Sequence, residues 1–274
     1  MYYNNITIVC ISERRTIVLE FFHWVQVILD NYGILLLKGT GVTVLLALVG
    51  TGVGFVIGLL IGVYKTLPIR PEDPAVKRIL YKIFNFLLSA YIEVFRSTPM
   101  MVQATVIFYG AAFLFSLRLD PVMAGMFIIS INTGAYMAEI VRGGIISVDK
   151  GQFEATHSIG MTHFQSMLYV ILPQAIRNIL PATGNQFIIN IKDSCVLSVI
   201  SVTELFFQTK SAAGATFQTF PAYFIACVIY FVLCFSITQL LRYLEEKMDG
   251  SDTYTIYGTE PVINGADTLK RGDK

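Results

Sequence analysis

The sequence predicts an all-α, polytopic membrane protein with about five transmembrane helices, on three observations. Hydrophobic residues make up 54% of the 274 residues and charged residues only 14%, where a soluble domain carries about a quarter charged residues. Residues 39–64 run without a charge between Lys38 and Lys65. At about 1.5 Å per residue such a helix exceeds a hydrocarbon core roughly 30 Å thick. Further charge-poor windows fall at 97–117, 121–138, 178–203 and 211–241, each long enough for about one crossing.

Ahead of the first span, Thr16 to Asp30 reads as a short interfacial helix with Trp24 at headgroup level, with a buried extra segment as the alternative. Glu20 and His23 interrupt its apolar run and no small-residue cleavage site follows cleanly, so a cleaved leader is not expected. In the first span Gly50, Gly54, Gly58 and Gly62 recur every four residues, a spacing that clears one helix face for another backbone. Gly50, Gly52 and Gly54 do not form a dinucleotide-binding loop, because no strand precedes them. The second span is expected to begin near Phe84 and to contain Pro99. That proline removes one backbone hydrogen bond, which a membrane helix tolerates when a neighbour or water serves the freed carbonyl. Asp120-Pro121 marks a tight turn into the third span. The fourth window carries Lys192 and Asp193, and the fifth ends near Arg242. Domain boundaries follow: an external or interfacial extension over 1–37, a membrane unit over 38–247 with an inner loop at 149–173, and a polar, loosely ordered tail over 248–274.

Lysine and arginine set the orientation, since loops rich in them stay cytoplasmic. Lys65, Arg70, Lys77, Arg78 and Lys82 follow the first span, whereas Arg118 alone separates the second from the third. The first loop is therefore inside, as are the stretch from Arg142 to Arg177 and the end of the chain with Arg242 and Lys247. The N-terminus and Lys210 lie outside.

The inner loop is too elaborate for a connection, which needs only a few residues. Asp149 with Gln152, and Thr162 with Gln165, are two helix starts. Gly160 between them suits a left-handed turn. The loop thus reads as helix, sharp turn, helix, which is a docking surface. Here Glu154-Ala155-Thr156, then Gly160, then Ile171-Leu172-Pro173 resembles the EAA loop of binding-protein-dependent ABC importer permeases. The motif's third position is usually alanine, and Thr156 is still small enough for a groove. Leu37-Lys38-Gly39-Thr40, the run Ala90-Tyr91-Ile92-Glu93-Val94-Phe95-Arg96-Ser97-Thr98-Pro99, Gly134-Ala135-Tyr136-Met137-Ala138-Glu139 and Gly184-Asn185-Gln186-Phe187 resemble the polar amino-acid branch of that family. The similarity runs from about residue 37 to residue 247.

That resemblance implies an ABC importer type I permease fold in the cytoplasmic (inner) membrane of a prokaryote. It implies ATPase subunits at the cytoplasmic face contacting Glu154, with ATP and Mg on that partner. It also implies an extracellular or periplasmic solute-binding protein, a second permease copy or paralogue, and a polar amino acid as substrate. The chain itself would be a transport subunit and not an enzyme, working by alternating access.

The residues themselves support and limit those expectations. No Gly-x-x-x-x-Gly-Lys-Ser/Thr run occurs, and the inner loops are too short for a nucleotide-binding fold. A net charge of +1 without a basic block excludes a nucleic-acid partner. Cys10, Cys195, Cys227 and Cys234 show neither a CxxC pair nor nearby histidines, so no metal or other cofactor is expected on this chain and the cysteines read as apolar fillers. His157 and His163 read as surface residues. Lys192 and Asp193 inside a span cost about 2.5–3.5 kcal/mol each on insertion scales unless they face protein or water. With Asn132, Thr133, Asn190 and Ser194 they form either a polar substrate pathway near the midplane or structural pairs. Glu139, beside Arg142, reads as structural. An ion-coupled secondary amino-acid transporter using Glu139, Lys192 or Asp193 is the alternative, although about five spans do not halve into the repeats common in such proteins. A membrane enzyme lacks a convincing nucleophile, base or metal cluster.

Overall fold

The computed structural model describes residues 2–69 and 72–249, and side chains from 18 to 247 apart from residues 70 and 71. Arg70 and the polar tail beyond residue 249 lie outside the described residues. Helix α1 runs unbroken over Tyr2–Lys65. No proline occurs before Pro68, so nothing removes a backbone donor along the way. The stretch Val18–Lys65 alone has 48 residues, about 72 Å of helix. The short interfacial helix expected over Thr16 to Asp30 is therefore not separate but the leading part of α1. Phe21 in that part packs on Phe220 and Phe224 with ring centroids 5.3 and 5.2 Å apart.

Two helices replace the straight second span: α2, Ala75–Ser97, and α3, Met100–Phe115, bent by 112°. Pro99 starts α3 and its missing N–H ends the ladder of α2. Helix α4, Pro121–Ile146, starts as the sequence predicts, with the Asp120 carboxylate accepting from the Met123 N–H at 3.0 Å. It is the most buried helix and its main partner is α1. The glycine series forms that seam. A Cβ on Gly50 would stand 2.7 Å from Ile129, on Gly54 2.7 Å from Thr133, and on Gly62 2.6 Å from Val141, with Gly58 pressed on Met137. Both series advance by four together, so α1 and α4 run parallel with their backbones in close approach.

The inner loop holds α5, Lys150–Ser158, and α6, His163–Ser166, then a π-helical turn over Met167–Ile171 that leads into α7, Leu172–Asp193. A 3-10 segment, Ser194–Ile200, continues α7, and α8, Leu205–Thr216, and α9, Thr219–Asp249, complete the chain. The fourth window is thus no single apolar helix: its first half belongs to a helix bearing Gln174, Arg177, Asn185, Gln186 and Lys192, and the α geometry stops at Asp193. The fifth window is split where Phe217 turns left-handed at φ 55°. Among the described residues, three helices are long and apolar enough to cross a membrane, or four if the bent α2–α3 pair counts as one. By that measure the expected count of about five spans is not clearly reached, because hydrophobic windows do not register where a backbone bends.

Candidate functional site

A polar pocket opens where α2 breaks. Pro99 has no N–H to give the Phe95 carbonyl, and the Gln103 side chain supplies the missing donor. Its Nε2 donates to Phe95 O at 2.9 Å and to the Thr98 carbonyl and hydroxyl at 2.9 and 2.8 Å. Asn132 on α4 adds a longer bond to Phe95 O at 3.4 Å and donates to Gln103 Oε1 at 2.9 Å. The break is thereby stitched to α4, about midway along that helix. Beside it lies a cavity of about 450 Å³ lined by Arg96, Asn132, Tyr136, Gln186 and Asp193, among others. The Arg96 guanidinium stands over the Tyr136 ring at 5.7 Å. Neither Arg96 nor Asp193 belongs to an ion pair among the described residues, where the pairs are Lys65 and Arg142 with Glu139, and Lys77 with Asp73.

The residues singled out for a polar pathway divide. Asn132 and Asp193 line the cavity. Thr133 and Asn190 lie behind it in a buried network: the Thr133 hydroxyl and the Gln186 amide donate to Asn190 Oδ1 at 3.1 and 3.3 Å, and Asn190 donates to the Thr51 hydroxyl at 2.8 Å. That network ties α1, α4 and α7. Ser194 is buried and donates back to the Ile191 carbonyl at 2.9 Å. Lys192 is exposed and does not line the cavity. Arg96, Tyr136, Gln186 and Gln103 were not among the expected pathway residues. Arg96 had a signal, an ionised residue at the edge of an apolar window, and Pro99 signalled that some nearby donor was needed.

In the inner loop the Asp149 side chain caps α5 through the Gly151 N–H at 2.6 Å, one position earlier than the box with Gln152 requires. Thr162 and Gln165 make the full reciprocal capping box. Gly160 has φ +81°. Around it Met161 N–H reaches Thr156 O at 3.0 Å and Gly160 N–H reaches His157 O at 3.0 Å, the paired bonds of a Schellman end. Glu154 and Ala155 face outward, Thr156 is buried, and Ile171 is fully buried among Val141, Ile145, Met167 and Ala175. Leu172 is half-buried and Pro173, in the first turn of α7, is exposed. The loop thus has a fixed inner side and a free outer side, where Ile159 and Phe164 are 77% and 71% exposed.

Residues 54–250 match the model of the family described as binding-protein-dependent transport system inner membrane component. The chain is 36% identical over 215 residues to the glutamine transport system permease protein GlnP of Escherichia coli (strain K12), covering 78% of this chain and 93% of that protein. It is 33% identical over 227 residues to the probable glutamine ABC transporter permease protein GlnM of Bacillus subtilis (strain 168), covering 83% and 99%. Among solved structures, an amino acid ABC transporter with histidines is similar at a TM-score of 0.71 and 38% identity over 80% of this chain and 96% of that one. The methionine transporter MetNI, inward facing, shares the fold at a TM-score of 0.60 and 21% identity, covering 77% and 97%.

Proposed function

The chain belongs to the binding-protein-dependent transport system inner membrane components and is the transmembrane permease component of an ABC amino-acid importer of the alternating-access type; on that premise we propose that the cavity between Arg96 and Asp193 takes the amino acid during its passage. The single observation that carries this reading is a cation and an anion on one small polar cavity, neither of them in an ion pair among the described residues. An amino acid is a zwitterion. Its carboxylate complements the Arg96 guanidinium and its ammonium complements Asp193, while the Asn132 and Gln186 amides suit a polar side chain. Ionised groups in a span are unfavourable unless they meet charge or water, so a charged ligand stabilises both. The names of the relatives make glutamine the first candidate.

The assembly follows the family. Permease components of this kind are not themselves catalytic, and ATPase activity resides on a separate partner with its ATP and Mg. Among the described residues no group of three or more His, Cys, Asp or Glu side chains is placed to hold a metal. We assign residues 38–247 to the permease unit, and α5 with Glu154 and Ala155 to the ATPase contact. A solute-binding protein docks at the opposite face, and a second copy or a paralogue completes the path. The apolar helices fit a multi-pass protein of the inner membrane. Family membership replaces the ion-coupled alternative.

Binding of labelled glutamine to the assembled, detergent-solubilised transporter, without the solute-binding protein, tests the cavity. Loss of one charge-assisted contact corresponds to about 10- to 100-fold in affinity. Arg96→Gln and Asp193→Asn are each expected to weaken binding in that range, with assembly retained. Unchanged binding in both variants removes the assignment.

A further inference from the structure

The last two turns of α2 are fixed to α4, and this places Arg96. The Tyr91 hydroxyl donates to the Ile131 carbonyl at 2.5 Å, Asn132 donates to the Phe95 carbonyl at 3.4 Å, and the Tyr91 and Phe95 rings pack with centroids 5.2 Å apart. A Cβ on Gly134 would stand 2.9 Å from the Tyr91 hydroxyl, so the residue there must be small for the two helices to approach. Arg96 comes directly after Phe95. Tyr136 comes four residues after Asn132, on the same face of α4. The guanidinium carbon of Arg96 stands over the Tyr136 ring, 5.7 Å from its centre, and both side chains line the cavity.

A guanidinium inside a span needs negative charge density beside it. A carboxylate supplies the most, but it also occupies the planar fork of N–H donors that would otherwise grip a ligand's carboxylate. An aromatic face is negative over the ring and attracts the cation without claiming that fork. The second arrangement is the one present. Among the described residues no carboxylate pairs with Arg96, and its side-chain N–H groups donate to no protein acceptor. Glu139, three residues beyond Tyr136 on α4, is instead taken by Arg142 at 2.8 Å and Lys65 at 3.9 Å.

We propose that Tyr136 is a positioning residue for substrate binding: its ring holds the Arg96 guanidinium at the cavity wall and leaves the N–H donors free for the carboxylate of the amino acid. This rests on the cavity being the amino-acid site. The π face does the holding, and the phenolic hydroxyl has no part in it.

Binding of labelled glutamine to the assembled transporter, without the solute-binding protein, tests this through the electrostatics of the ring at nearly constant shape. Ring fluorines on a phenylalanine at position 136 weaken the negative face stepwise and add little volume. Tyr136→Phe is expected to bind as the wild type does, and affinity to fall with each fluorine added to that phenylalanine. Tyr136→Leu removes the face altogether and is expected to lower affinity about 3- to 30-fold, the range of cation–π attraction. In an Arg96→Gln background the same changes are expected to lower it no further, because ring and guanidinium act as one unit. A flat fluorine series overturns the proposal even if Tyr136→Leu fails to assemble. An equal fall in the Arg96→Gln background overturns it as well, since the ring would then act independently of the guanidinium. So does Tyr136→Phe binding as weakly as Tyr136→Leu, which would assign the effect to the hydroxyl. A flat series with Arg96→Gln and Asp193→Asn both weakened removes the role of Tyr136 alone, whereas unchanged binding in those two variants removes the cavity assignment itself.

Discussion

Pro99 and Gln103 show how one residue's deficit fixes the role of another. The proline orphans the Phe95 carbonyl, and Gln103 serves it at 2.9 Å, with a longer bond from Asn132 at 3.4 Å. Gln103→Leu keeps the volume approximately and removes that donor, leaving buried acceptors unserved at about 1–3 kcal/mol. The expected outcome is a lower melting temperature of the purified transporter, measured in detergent, with the bent segment destabilised. Asn190 makes the complementary case. Its amide is committed to Thr51, Thr133 and Gln186, so Asn190→Leu is expected to lower stability by a similar amount while assembled protein still binds glutamine. Binding lost at unchanged stability would return Asn190 to the cavity. From the sequence these residues were equivalent, polar groups in apolar windows. Which of them faces space and which faces another amide depends on helix rotation, and a single sequence does not fix that.

At the scale of elements, the glycine face of α1 and the loop between α4 and α7 were both legible, because each rests on local rules. A four-residue glycine period specifies close approach whatever the partner, and a left-handed glycine between two caps specifies a turn. Gly58→Leu sets a side chain against Met137 and the α4 backbone, and overpacking of this kind costs about 1–3 kcal/mol or more. Lower yield of assembled transporter is the expected reading, and wild-type yield would contradict the seam. Gly160→Val forces a β-branched residue into φ +81°, a genuine outlier for such a side chain. The variant is expected to insert normally and to lose ATP-dependent uptake. Helix ends were less legible where tertiary contacts decided them. The bend at Pro99 is held by Gln103 and Asn132, and the division at Phe217 falls on a left-handed non-glycine residue, so an apolar run concealed both.

For the whole molecule, orientation and coupling carry the predictions. Cysteines placed at Lys77 and His157, in a chain without its native cysteines, are expected to label from the cytoplasmic side, and those at Arg118 and Lys210 from the other. All four positions are exposed. Labelling of both sets from one side would invert the assembly. Glu154→Lys reverses a charge on the outward side of α5 and is expected to weaken association with the ATPase, read by co-purification. On a merely solvated helix the same change shifts stability by less than about 0.5 kcal/mol, so an unchanged yield of complex would place the contact elsewhere.

The sequence by itself determined the solvent, the family and the local devices: charge-free windows require lipid, the loop motif specifies its turn and caps, and the glycine period specifies a seam. Each follows from residues within one continuous stretch of the chain. Tertiary structure alone decided that α1 is a single long helix held against α9, that the second, fourth and fifth windows break, and that Arg96 and Asp193 share a cavity while Thr133 and Asn190 brace it. It also set the Tyr136 ring against the Arg96 guanidinium. Arg96 and Asp193 are separated by nearly half of the membrane unit, and their juxtaposition depends on how α2 bends and how α4 and α7 rotate. Those are set by summed packing contacts between distant segments, which no local pattern encodes.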